Sequence, residues 1–174
     1  MAYRGVDLNP QLVEYARGEY GRHNITYEQG DICTYRGDGP VGLITCFETI
    51  EHVPDYRAAL VNLASLLEPG GTLLISSPNR PVTSPKALTL TDAPANRYHT
   101  QEFTPVELLR ELRGVGLLAN PADVFGQRQR RLLKPHFLNK LVKGLTNPNR
   151  RTSPVVQPVT TLEPRYMVIV ARKP

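Results

Sequence analysis

The sequence predicts an α/β domain with a mostly parallel sheet and an antiparallel C-terminal strand, and three observations carry that expectation. Strand-sized apolar runs alternate with helical periodicities along most of the chain. The turns between them are short and marked by proline or glycine, at Asn9-Pro10, Gly39-Pro40 and Pro69-Gly70-Gly71. Acidic residues gather where the runs end, at Asp7, Asp31, Glu48 and Glu51, and open parallel sheets take ligands beyond the carboxyl ends of their strands.

Tyr3 to Leu8 reads as the first strand. Asn9 is a ready N-cap and Pro10 suits the first helical position, so a helix follows through Leu12, Val13, Ala16 and Tyr20 until Gly21. Ile25 to Glu28 is the next strand. Val41 to Phe47 is an apolar run that reads as a strand buried on both faces, and it breaks off into Glu48, Glu51 and His52. Chemistry is expected at that break, against the plainer reading of a solvated loop opening a helix. Asp55 caps an amphipathic helix whose stripe of Tyr56, Ala59, Leu60, Leu63 and Leu67 is core. Pro69-Gly70-Gly71 ends it and leads into a buried strand, Thr72 to Ser77.

Residues 78–101 are rich in Pro, Thr, Ser and Asn and read as one long loop, a length typical of functional lids or disorder. Thr104 and Glu107 form a capping box around Pro105, opening a helix through Leu108, Leu109, Leu112 and Val115 that Gly116 ends. Ala122 to Phe125 is a short strand and Arg165 to Arg172 the last one. Phe137 to Leu145 has the pattern of a short amphipathic helix inside an otherwise proline-broken insertion.

The 174 residues suit a single domain, with a core over 3–126 and 165–174 and a basic insertion over 127–164. A content of 40% hydrophobic and 21% charged residues is that of a globular protein. Apolar runs are too short for a membrane span, the first residues do not resemble a signal peptide, and Cys33 and Cys46 match neither a redox pair nor a zinc knuckle. Reduced thiols in a cytoplasm are expected. Net charge is +5, and Arg128, Arg130, Arg131, Lys134, Lys140, Lys143, Arg150 and Arg151 sit in a stretch without a single acid. That stretch is either a solvated loop or a surface for an anionic partner such as phosphate, nucleic acid or lipid.

Four segments together resemble the class I S-adenosylmethionine-dependent methyltransferases. They are Gly5-Val-Asp-Leu-Asn-Pro10, Glu28-Gln-Gly-Asp31, Cys46-Phe-Glu-Thr-Ile-Glu-His-Val-Pro54 and Leu67-Glu-Pro-Gly-Gly-Thr-Leu-Leu-Ile75, in the family's order and spacing. The resemblance implies a Rossmann-like fold with S-adenosylmethionine as cofactor. It implies Asp7 on the ribose hydroxyls, Asp31 on the adenine amino group, Leu8 and Ile32 beside the adenosine, and Cys46 and Phe47 at the methionine end. Family members open with a strand and a Gly-x-Gly-x-Gly loop, whereas this chain starts at what corresponds to the second strand. The first central strand of the sheet is thus missing, an N-terminally truncated fragment is expected, and with it a gap between Tyr3–Leu8 and Val41–Phe47 and weak cofactor binding.

Within that family, Glu48-x-x-Glu51-His52 resembles the metal-binding segment of plant-type small-RNA 2′-O-methyltransferases and the related motif of ubiquinone-pathway O-methyltransferases, which also draw a histidine from the following loop. The resemblance implies Glu48, Glu51, His52 and His99 as ligands of Mg²⁺ or Mn²⁺, and residues three and four apart on a helical turn share a face. His52 or His99 as a general base, and a histidine that merely caps the helix, are the competing readings. The acceptor is expected to be a small-molecule or sugar hydroxyl. A nicotinamide-dependent dehydrogenase would leave Glu48-x-x-Glu51-His52 without a purpose, and a non-catalytic binding module working through the basic insertion is the alternative function.

Overall fold

The first two strands and the helix between them form a unit set by local signals. In the computed structural model, which describes residues 2–127, 157–158 and 164–174, β1 (Tyr3–Asp7) pairs in parallel with β2 (Ile25–Gln29), from Tyr3↔Ile25 to Asp7↔Gln29. α1 (Pro10–Tyr20) connects them, and the Asn9 side chain accepts from the Gln11 N–H at 2.8 Å, as an N-cap should. Gly30 closes β2 because a Cβ there would stand 2.5 Å from the Tyr35 ring and 2.8 Å from Val6.

The second βα unit builds the core. β3 (Val41–Cys46) leads through a 3-10 turn (Ile50–His52) into α2 (Tyr56–Leu66) and then β4 (Leu67–Pro78), which is parallel to β3. Asp55 caps α2 by accepting from Ala58 N–H at 3.0 Å. The Pro69-Gly70-Gly71 turn falls inside β4 as a bulge: Val41 pairs with Leu67, but Leu43 pairs with Thr72, and Gly70 has a φ of 79°. α3 (Arg80–Thr83) and α4 (Pro105–Gly114) follow, and both bonds of the Thr104–Glu107 capping box are made, at 2.8 and 3.2 Å. Three later strands, β5 (Val124–Gln127), β6 (Gln157–Pro158) and β7 (Tyr166–Arg172), are antiparallel to their neighbours and give the order β3-β4-β7-β5-β6. β5 begins two residues later than the sequence predicts, because Pro121–Asp123 forms a 3-10 turn.

Leu60 and Leu63 from α2, Leu67, Leu73 and Ile75 from β4, Leu108 and Leu112 from α4, and Met167 and Ile169 from β7 form one cluster with Phe103. β7 alternates buried and half-buried residues, so one face of the sheet carries this core.

β1 and β3 do not pair. The chain forms a two-stranded sheet beside a five-stranded one, with the gap expected from the sequence between them. The expectation that Val41 to Phe47 is buried on both faces is corrected: Val41, Leu43 and Phe47 are 42%, 46% and 51% exposed. β3 has β4 as its one neighbour among the described strands, so its apolar side chains lack the second covered flank that an interior strand enjoys.

The two sheets are joined through the loop after β2. Asn62, buried on α2, donates to the carbonyls of Ile32 (2.9 Å) and Tyr35 (3.0 Å) and accepts from Arg36, while the Cys33 thiol reaches the Asp55 carbonyl at 3.6 Å. The basic side chains of the insertion and the helix expected over Phe137–Leu145 lie outside the described residues. Among the described residues, no helix is long and apolar enough to cross a membrane.

Candidate functional site

Two groups of candidate residues stand at strand ends. Asp7 and Asp31 follow adjacent parallel strands, and in each one carboxylate oxygen braces the local turn. Asp7 accepts from Asn9 N–H at 2.8 Å and Asp31 from Cys33 N–H at 2.8 Å, and burial, with help from the Asp31 carboxylate, pushes the Cys33 thiol up. Leu8 beside them is 66% exposed, and Ile32 is half-buried against the core. The loop that carries Asp31 touches Asp55 through Cys33, and Asp55 stands three residues past His52 in the chain.

That second group forms where β3 ends. Carboxylate and imidazole atoms of Glu51, His52 and His99 all lie within 4.8 Å of one another. The two rings meet edge to face, with centroids 4.9 Å apart. The lid segment that brings His99 here is fastened to the 3-10 turn through main-chain carbonyls. Thr100 donates to Glu51 O through its N–H (2.8 Å) and hydroxyl (2.9 Å), and the Gln101 amide donates to Ile50 O (2.7 Å) and Val53 O (3.0 Å).

Glu51 is 1% exposed and its Oε2 has no hydrogen-bond partner among the described residues. Burial pushes its carboxyl up to about 7, and the Glu48 and Glu102 carboxylates push the same way. No arginine or lysine pairs with Glu48, Glu51 or Glu102 among the described residues. A buried acid with an orphaned oxygen, two imidazoles and no counter-charge is a donor set that suits a divalent cation.

Glu48 is the member of the expected set that the structure leaves out of this group. The helical spacing argument assumed one continuous turn, but only Ile50–His52 is helical, and Glu48 precedes it with a φ of 48°. Its carboxylate instead accepts from the Ser76 hydroxyl at 2.7 Å, and its N–H donates back to the same oxygen at 2.9 Å. Cys46 also differs from expectation, since its side chain packs into the core, where burial pushes the thiol up to about 12. Phe47, half exposed, remains at the surface of the site.

Several residues of the site escape sequence reasoning. Glu102 is buried with Oε1 2.7 Å from His99 Nδ1, and Tyr98 offers its carbonyl to His52 Nδ1 at 2.9 Å. The His99-x-x-Glu102 spacing was a signal for the first; a main-chain carbonyl leaves none for the second.

A family model described as a methyltransferase domain matches residues 2–119. The chain belongs to the methyltransferase-domain family. A ubiquinone biosynthesis O-methyltransferase of Coxiella burnetii is 39% identical over 79 residues, which are 44% of this chain and 34% of that protein. A protein of the same name from Xanthomonas euvesicatoria is 35% identical over 130 residues, covering 64% of this chain and 52% of the relative. The chain therefore spans about a third to a half of the length of these curated relatives. Among solved structures, a SAM-dependent methyltransferase of Thermotoga maritima, titled a possible histamine N-methyltransferase, superimposes with a TM-score of 0.68. It is 16% identical and the match covers 99% of this chain and 73% of that one, a likeness that establishes the Rossmann-like fold of class I S-adenosylmethionine-dependent methyltransferases.

Proposed function

We propose that this methyltransferase-domain chain serves S-adenosylmethionine-dependent O-methylation of a small-molecule hydroxyl, with Glu51, His52 and His99 holding a divalent cation beside the acceptor. The observation that carries the reading is the buried Glu51 carboxylate, one oxygen unpartnered, facing two imidazoles directly after β3. The names of the Coxiella and Xanthomonas relatives support the O-methyl chemistry.

Asp7 and Asp31 each stand at the end of a strand with a carboxylate whose chemistry suits ribose hydroxyls and an adenine amino group, both of which donate hydrogen bonds. Leu8 and Ile32 supply apolar surface for the purine, and Phe47 surface for the methionine end. When bound, the cofactor supplies a methyl group already activated on a sulfonium. The remaining task of these residues is to position the acceptor oxygen and remove its proton. A divalent ion held by Glu51, His52 and His99 would supply Lewis acidity that lowers the acceptor's pKa, so that its proton could pass to solvent water. His52 donates from Nδ1 to the Tyr98 carbonyl, which leaves its Nε2 lone pair to ligate the ion.

Titration of the full chain with Mn²⁺, followed by the resonance of the free ion, tests the cation. One bound ion is expected, and His99→Ala and Glu51→Ala should each lose it. Methyl transfer to a hydroxyl acceptor should stop in chelator and return with Mg²⁺ or Mn²⁺. Turnover that ignores chelation would remove the metal from the mechanism.

A further inference from the structure

Glu102 lies outside the ligand group, yet both of its carboxylate oxygens are committed. Oε1 stands 2.7 Å from His99 Nδ1, and Oε2 accepts from the Thr83 hydroxyl. The residue is 1% exposed and its main chain is gripped as well, because Arg80 Nη1 donates to its carbonyl at 2.8 Å. An ionised carboxylate only accepts, so the ring proton facing it belongs on Nδ1.

The opposite edge of the same ring gives an independent reading. Asn96 Oδ1 accepts from Tyr98 N–H at 3.1 Å, which turns the Asn96 amide nitrogen toward His99 Nε2, 2.7 Å away. An amide N–H can only donate, so it needs a lone pair on Nε2. Both edges of the ring therefore demand one tautomer, with the proton on Nδ1 and the lone pair on Nε2.

We propose that Glu102 is a positioning residue that fixes His99 as its Nδ1–H tautomer and so keeps the ring's one lone pair on Nε2, where it accepts from the Asn96 amide until a ligand or proton displaces that amide. The proposal rests on the function proposed above for what Nε2 does, but not for which nitrogen it is. It also explains why a short helix, α3, is placed against the lid: Thr83 and Arg80 hold the acid that holds the imidazole. A carboxylate behind a ligating histidine typically tightens metal affinity about ten- to a hundred-fold.

Nitrogen-15 NMR of the histidine rings, recorded on the full chain at a pH where they are neutral, tests this directly. Wild-type His99 should show a protonated Nδ1 and a bare Nε2. Glu102→Leu should scramble the tautomers and weaken Mn²⁺ binding about ten- to a hundred-fold. Glu102→Gln, whose amide oxygen can still accept from Nδ1, should retain the wild-type tautomer, and it carries the test if the leucine variant does not fold. A wild-type proton on Nε2, or a leucine variant with an unchanged ring spectrum, overturns the assignment. If wild-type chain shows the expected tautomer but binds no Mn²⁺, the cation reading falls while the role of Glu102 stands.

Discussion

At the scale of single residues, Glu51 stands out because its environment opposes its charge. With the carboxyl raised from 4.5 to about 7, the folded chain holds a proton that the unfolded chain releases. In chelator, stability should therefore fall as pH rises from about 4.5 to about 7, by roughly 3 kcal/mol. Glu107 and Glu111, both lowered, act in the opposite sense and in a different window, losing their contribution only as pH falls below the ordinary glutamate range. Urea titrations at pH 5 and pH 8 with and without Mn²⁺ check this: the drop should be present without the ion and absent with it. Asp7→Ala should weaken S-adenosylmethionine binding by about 1.5 to 3 kcal/mol, read by calorimetry, since hydrogen bonds to a charged acceptor are lost. The positions of Asp7 and Asp31 after adjacent strands were legible in the sequence because the flanking strands and turns carry local signals. Glu48 was misread because nothing in Phe47-Glu48-Thr49 announces a left-handed residue that turns the carboxylate to Ser76.

Elements announced themselves where local chemistry decides them. Asn9-Pro10, Asp55 and Thr104-x-x-Glu107 each cap the helix they foretell, and α1, α2 and α4 begin at the expected residues. Thr104→Ala should destabilise the chain by about 1 kcal/mol through the lost cap. Leu112→Ala, which empties a fully buried position of the same helix, should cost about 2 to 5 kcal/mol. Equilibrium denaturation separates the two. What the sequence concealed was how elements meet: Val41, Leu43 and Phe47 have the composition of an interior strand, but exposure depends on neighbours that no local pattern encodes. The lid was equally hidden, since the bonds that fasten Thr100 and Gln101 run to main-chain carbonyls some fifty positions upstream.

On the scale of the whole molecule, stability should be uneven. The β1–β2 unit contributes Val13 alone to the buried hydrophobic residues and is tied to the larger sheet through Asn62 and the loop after β2. Amides of β1 and β2 should exchange with solvent well before those of β4 and β7. Asn62→Ala should widen that difference and cost about 1 to 3 kcal/mol, because it takes the donor from Ile32 O, while Tyr35 O keeps its bond from the exposed Arg36. Uniform protection across both sheets would show that they unfold together. The lid's fastening has a further consequence, for how such a protein changes over generations. Since Gln101 and Thr100 grip carbonyls at positions 50, 51 and 53, present in every amino acid, replacing the acid or imidazole at 51 or 52 leaves the clasp intact. The frame can outlive its reagents, so the side chains at 51 and 52 can be varied by descent or by design without unfastening Thr100 and Gln101.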